Sequence, residues 1–313
     1  MIDFRYHVVS LISVFLAIAL GIVIGTTQLN SALVDGLRNQ VTDLSADKRD
    51  LEERSQTLEG QLDQDDAFGE TIAPVLVAGQ LPAARVLVVV AAESVDPDIT
   101  DQTIELIETA GAEVTGVLAL RPDYSDPQRS NDLQNYATGE GLPPGITLPE
   151  TDDAGELVGA LLAEVLMSSG EGTDPVEQTA TTTVLAGLSS LDVLSVESAA
   201  VGSADYAVIL TADGVESDDA DAHNAALAAL AAALDAAGQG AVVAGDALSA
   251  GGNGLVGFIR NNPALATSVS TVDNINVAAG RVSAVLSLTA EGQGTSGKYG
   301  TGQDTQPVPP LDQ

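Results

Sequence analysis

Between residues 8 and 25 the chain reads VVSLISVFLAIALGIVIG, eighteen residues with no charge and only two serines. As a helix rising 1.5 Å per residue this run is ~27 Å long, enough to cross a hydrocarbon layer of about 30 Å. Arg5 and the amino terminus precede it, and the next basic residue is Arg38. The positive-inside rule therefore puts the N-terminus in the cytoplasm and everything from Thr26 onward outside. Ala17-Ile18-Ala19 could serve as a signal-peptidase site, but apolar sequence continues through Ile24, so a retained anchor is expected. Ser13, Ala17, Gly21 and Gly25 recur every four residues on one face, and Gly21 with Gly25 forms GxxxG, which lets two helix backbones approach closely in lipid.

A second periodicity follows directly. Leu37, Leu44, Leu51 and Leu58 recur every seven residues, with Val34, Val41 and Leu62 at the alternate core position, as in a heptad repeat. Lys48 and Ser55 occupy the other two such positions, which weakens the seam but can specify a two-stranded state. Charged residues crowd the rest of the segment, and a seam this narrow suits a partner helix better than a protein core; the alternative is one amphipathic helix packed on its own domain. Residues 28–70 are therefore expected to form a coiled-coil stalk beyond a cytoplasmic stub and anchor at 1–27. A membrane pair and an aqueous pair would then lie end to end, in a homodimer or a coiled-coil heteromer.

About 220 of the 313 residues remain for one globular domain of ordinary size. The net charge of the whole chain matters most: 45 acidic against 11 basic residues give −34, and beyond Arg129 only Arg260, Arg281 and Lys298 are basic. Such a field repels phosphate backbones and excludes a nucleic-acid partner; solubility is a sufficient explanation for it. Cysteine is absent, which removes thiolate metal sites and thiol nucleophiles.

Residues 86–91 (VLVVVA) read as a buried parallel strand, followed by a helix carrying Ile99, Ile104 and Ile107, a cap at Gly111 and a second strand over 114–120. Residues 121–149 read as loop with one helical turn at most, 154–167 and 176–188 as helices, and 206–210 (YAVIL) as a strand. An alanine-rich helix over 222–237 closes at Gly238, and strands are expected at 241–244 and 269–272. This alternation predicts a doubly wound, mostly parallel α/β domain over 71–290, with 291–313 a disordered Gly/Pro-rich tail.

Sequence chemistry is sparse. Gly252-Asn253-Gly254-Leu255-Val256-Gly257 matches GxGxxG with Asp273 downstream, but a dinucleotide fingerprint needs its first glycine directly after the opening strand, so a loop is expected. Asp218, Asp219 and Asp221 precede a helix, where carboxylates favour the helix dipole, and no EF-hand spacing makes them a calcium loop. His223 has no nucleophile that sequence can pair with it and GxSxG is absent, so no catalytic residue is assigned and the protein is expected not to be an enzyme. Copper would want Cys, Met or His, and beyond the anchor only His223 and Met167 qualify, the latter in an apolar helix. No metal or cofactor site is assigned.

The opening RYHVVSLISVFLAIALGIVIG, the stalk, the segment STVDNINVAAGRVSAVLSL (270–288) and the ending GKYGTG (297–302) together make the chain resemble the actinobacterial MctB family over nearly its whole length. The resemblance implies two roles. One is copper transport and homeostasis, through pores in a mycolate-rich outer membrane. The other is that of SteB-type members, coiled-coil envelope proteins that join a SteA-like membrane partner to control peptidoglycan hydrolysis in cell separation. Where the family tends to end GHYG, this chain has Lys298, which removes a possible metal ligand. A helical anchor and the lack of ten-residue alternating segments favour the cell membrane over an outer-membrane barrel.

Overall fold

The computed structural model describes residues 4–168, 178–215 and 219–310, with main chain alone for 26–35. It separates into two compact units, Met1–Asp65 and Asp66–Gln313.

The first unit is helical throughout its described residues. A single helix, α1, runs Phe4–Val77, so the expected anchor and stalk are one uninterrupted element whose last turns belong to the second unit. Phe4–Gly25, 22 residues of mean hydropathy 2.8, is long and apolar enough to cross a membrane by length and composition. At 1.5 Å per residue it measures about 33 Å.

The second unit is an α/β sandwich on a seven-stranded sheet: β1 (Arg85–Val90), β2 (Glu113–Leu120), β3 (Leu194–Val196), β4 (Tyr206–Leu210), β5 (Gly240–Ala244), β6 (Ser270–Val272) and β7 (Lys298–Tyr299). The order is β3-β2-β1-β4-β5-β6-β7, parallel throughout except for β3 against β2. From the interior strand β1 the chain builds outward first to β2 and β3, then returns to lay β4 to β7 on the other side, the winding expected of βαβ crossovers.

Strand alternation sends two cores to opposite faces. Leu87, Val89, Leu118, Ile209 and Val243 pack beneath α3 (Ser130–Thr138), α4 (Ala154–Leu166), α5 (Gln178–Ser190), α6 (Ala220–Ala237) and α7 (Leu255–Asn261). Val86, Val88, Val208, Val242 and Val272 pack against α2 (Pro97–Thr109), α8 (Ala278–Gly292) and Ala73 and Val77 of α1. Burial on both faces is why β1, β4 and β5 are continuous apolar runs rather than alternating ones. Helices α4 and α6 approach closely because Gly155 and Gly159 lie against Ala226 and Leu230; a Cβ at Gly155 would stand 2.8 Å from the Ala226 Cα.

Several expectations need correction. Residues 121–149 hold two 3-10 turns, Pro122–Tyr124 and Pro127–Arg129, and the nine-residue α3, because Leu133 and Ala137 have core to bury. The helix expected over 176–188 is Gln178–Ser190, and residues 176 and 177 lie outside the described residues. The α8 helix and the antiparallel β3 carry no expectation at all. The stretch from Glu291, expected to be disordered, instead completes α8 and supplies β7, with Tyr299 only 2% exposed.

Candidate functional site

The expected pairing residues all lie on α1. Leu37, Val41, Leu44, Leu51, Leu58 and Leu62 are each 59–70% exposed, while the Val34 side chain lies outside the described residues. Nothing stands within 4 Å of a Cβ built at Gly21 or Gly25, so both could accept a close neighbour. Around the seam, Lys48 reaches Glu52 at 3.3 Å and Arg54 reaches Asp50 at 2.8 Å, exposed i,i+4 pairs worth a few tenths of a kcal/mol each. From Asp66 onward the helix turns its buried face to its own domain: Asp66 Oδ1 accepts the Ala278 N–H at 2.6 Å, and Ala73 and Val77 enter the core.

The GxGxxG segment, expected to be a loop, is loop only as far as Gly254, since Leu255–Gly257 open α7, and packing accounts for its glycines. Gly254 is the N-cap of α7, and a Cβ there would lie 2.2 Å from the Ser249 carbonyl oxygen; at Gly257 it would lie 2.0 Å from that of Gly251. These glycines let a tight loop fold over a seven-residue helix. Asp273 has no ligand-facing role either. It is 1% exposed and takes Arg260 Nη1 on Oδ2 at 2.6 Å, Thr301 N–H on Oδ1 at 2.7 Å and Gly302 N–H on Oδ2 at 3.1 Å. Arg260 also donates to Thr271 Oγ1 and to the Tyr299 carbonyl, and Lys298 Nζ donates to the Arg260 carbonyl at 3.0 Å. The STVD and KYGTG segments, separate in sequence, are thus two sides of one buried ionic network.

Asp219 stands at the N-cap of α6 without a side-chain cap bond, Asp221 lies in its first turn, and Asp218 lies outside the described residues. His223, on that same turn, does find a hydroxyl: its Nδ1 is 2.9 Å from Ser125 Oγ. Beside them a cavity of about 130 Å³ is lined by Tyr124, Asp126 and Asp153. Burial pushes the Tyr124 phenol well up, with the Asp153 charge adding to it, and its hydroxyl has no hydrogen-bond partner among the described residues. Among the described residues no three His, Asp or Glu side chains are placed to hold a metal ion. Met167 is 8% exposed and packs in the core beside Gly238.

Sequence reading missed two buried ionisable groups because neither belongs to a periodic pattern. Glu291, 7% exposed, accepts the Ser270 N–H on Oε1 at 2.7 Å and the Ser296 hydroxyl on Oε2 at 3.0 Å. Burial raises its carboxyl to about 7, against the opposing pull of those bonds and with Asp235 adding to the rise. Arg281, 3% exposed, donates to the Ile275 carbonyl and reaches Glu70, and burial lowers its pKa against the attraction of Asp66 and Glu70.

Residues 1–310 match the family described as "Copper transport outer membrane protein, MctB". The chain is 30% identical over 312 residues to the proteins named "Copper transporter MctB" of Mycobacterium tuberculosis and Mycobacterium bovis, covering 98% of this chain and 99% of theirs. The protein of that name from Mycobacterium leprae is 29% identical over 309 residues, 96% of this chain and 97% of that one. With the N-terminal apolar helix, the sheet and the C-terminal network all inside the matched span, the chain belongs to the MctB family.

Proposed function

We propose that this protein is a non-catalytic assembly protein of the cell envelope, anchored in the cell membrane by Phe4–Gly25, its N-terminus cytoplasmic and its acidic α/β domain outside. One observation carries the reading: the apolar seam from Leu37 to Leu62 lies exposed on the same unbroken helix as the apolar span. Six large side chains at 59–70% exposure are costly to leave in water, since burying each Leu or Val contributes about 1.5–3 kcal/mol. A second copy, aligned by the common membrane, is the partner the heptads fit best. The relatives' name brings copper homeostasis to this chain as a role exerted through envelope assembly rather than through a metal path in the domain.

A second reading puts a different membrane protein, of the SteA-like kind, on the seam, with control of peptidoglycan hydrolysis as its output. Lys48 and Ser55 at core positions favour it, because a partner with complementary residues there would be preferred over self. Cysteines introduced at Leu44 and Leu51 separate the two in membranes of the producing cell. A crosslinked homodimer supports the first reading and a mixed adduct the second. A chain that stays monomeric under oxidation sinks both. Copper passage is tested on its own, by metal binding to the purified chain and by conductance in planar bilayers.

A further inference from the structure

A cavity of about 250 Å³ lies between the last turns of α1, α2 and the start of α8, wholly within the second unit. It is smaller than the roughly 300–1,000 Å³ of sites for drug-sized molecules, so an occupant would be metabolite-sized. Its walls are Ala73 and Leu106, and its floor is the Arg281 guanidinium, whose side chain is 4% exposed. Of that fork's five N–H donors, Nη1 serves the Ile275 carbonyl at 3.2 Å and Nη2 reaches Glu70 at a long 3.4 Å, while Nε has no partner among the described residues. Glu70 is itself half exposed, and Asp66, the other carboxylate that attracts the guanidinium, accepts the Ala278 N–H on Oδ1 and makes no hydrogen bond to Arg281. The guanidinium therefore keeps N–H donors to spare for a further acceptor. The exposed lining has the opposite sign, with Glu70 and Glu105 alongside Gln102.

We propose that this cavity binds a small zwitterion of the amino-acid class, its carboxylate on Arg281 and its ammonium at Glu70 and Glu105. The charge order selects the ligand. A bare cation meets a guanidinium on the floor, and a bare anion must pass acidic side chains on a protein of net charge −34. A molecule with both charges meets its complement at each depth, and a planar carboxylate matches the spare edge of the guanidinium fork.

Calorimetric titration of the full chain in detergent tests this with three probes: L-alanine, acetate and ethylamine. Saturable binding of L-alanine is expected, with acetate and ethylamine at least tenfold weaker, and Arg281→Met should abolish it. Because removing a buried guanidinium can unfold the domain, the exposed Glu105→Lys is the second variant. It should keep the wild-type melting temperature and reverse the preference, binding acetate more tightly than L-alanine. No saturable binding of L-alanine at millimolar concentration overturns the proposal, and so does an L-alanine affinity that Glu105→Lys leaves unchanged. The proposal stands apart from helix pairing, which crosslinking at Leu44 and Leu51 reads independently.

Discussion

Glu291→Gln is the most informative single change in the α/β domain. The carboxyl sits at the end of α8, 7% exposed, bonded to the Ser270 N–H and the Ser296 hydroxyl, and burial raises it from an ordinary 4.5 to about 7. A carboxyl raised on folding binds more protons in the native than in the unfolded chain between those two values. Its stabilising contribution is therefore fully present below about pH 4.5 and is lost as pH rises through 7. At about 1.4 kcal/mol per pH unit the loss is about 3 kcal/mol, and roughly 2 after allowance for residual hydration of the site. Glutamine keeps the shape and an oxygen for the Ser270 N–H, while its amide N–H can donate to the Ser296 oxygen, so it carries the bonds without the charge. The variant should match wild type near pH 5 and exceed it by roughly 2 kcal/mol at pH 8. Four of the five tyrosines lie in the domain, so tyrosine fluorescence through urea denaturation at pH 5, 6, 7 and 8 follows its unfolding. Repulsion among the other acidic groups acts on both proteins and cancels in the difference. Parallel pH profiles, or a variant weaker than wild type at pH 8, would refute the assignment.

Asp273→Ala should cost about 3–5 kcal/mol, since it leaves the buried Arg260 uncompensated; a loss under 1 kcal/mol in the same denaturation assay would show the network to be dispensable. Tyr124→Phe removes a buried hydroxyl that bonds to nothing among the described residues, so stability should stay level or rise by about 1 kcal/mol, and a lower midpoint would reveal a partner for the phenol. Leu44→Lys with Leu51→Lys places charges on the exposed seam: crosslinking through a cysteine at Leu58 should vanish while the tyrosine-reported midpoint stays put, and undiminished crosslinking would mean the seam is not the contact. Asp66→Ala strips the first N–H of α8 of its acceptor and should cost about 1 kcal/mol, measured the same way.

Legibility in the sequence followed how local each signal is. The strands β1, β4 and β5 announce themselves because burial on both faces demands uninterrupted Val, Ile, Leu and Ala, and α6 because its alanines leave no other element plausible. The α8 helix is opaque for the opposite reason. It is buried on almost every side, so no polar stripe marks its period, and Gly280, Ser283 and Ser287 depress its helix propensity. The tail beyond Glu291 looks like linker by composition, yet Arg260, Asp273 and Ser270 hold it from up to forty residues away, contacts that no window of sequence contains. The helix that carries Leu37 to Leu62 was readable because periodicity is itself local, and its pairing stays a proposal. The Arg281 cavity was not, since its walls come from three helices far apart in the chain.

The manner in which α1 ends has a practical consequence for anyone who would cut the molecule. Composition invites a cut at residue 70, the end of the expected stalk, yet α1 runs through it unbroken. A fragment trimmed at that point would discard Asp66 and Glu70, expose the front of α8 and fray the very turn that seals Ala73 and Val77. A fragment that keeps the second unit whole therefore starts no later than Asp66 and retains the last turns of α1.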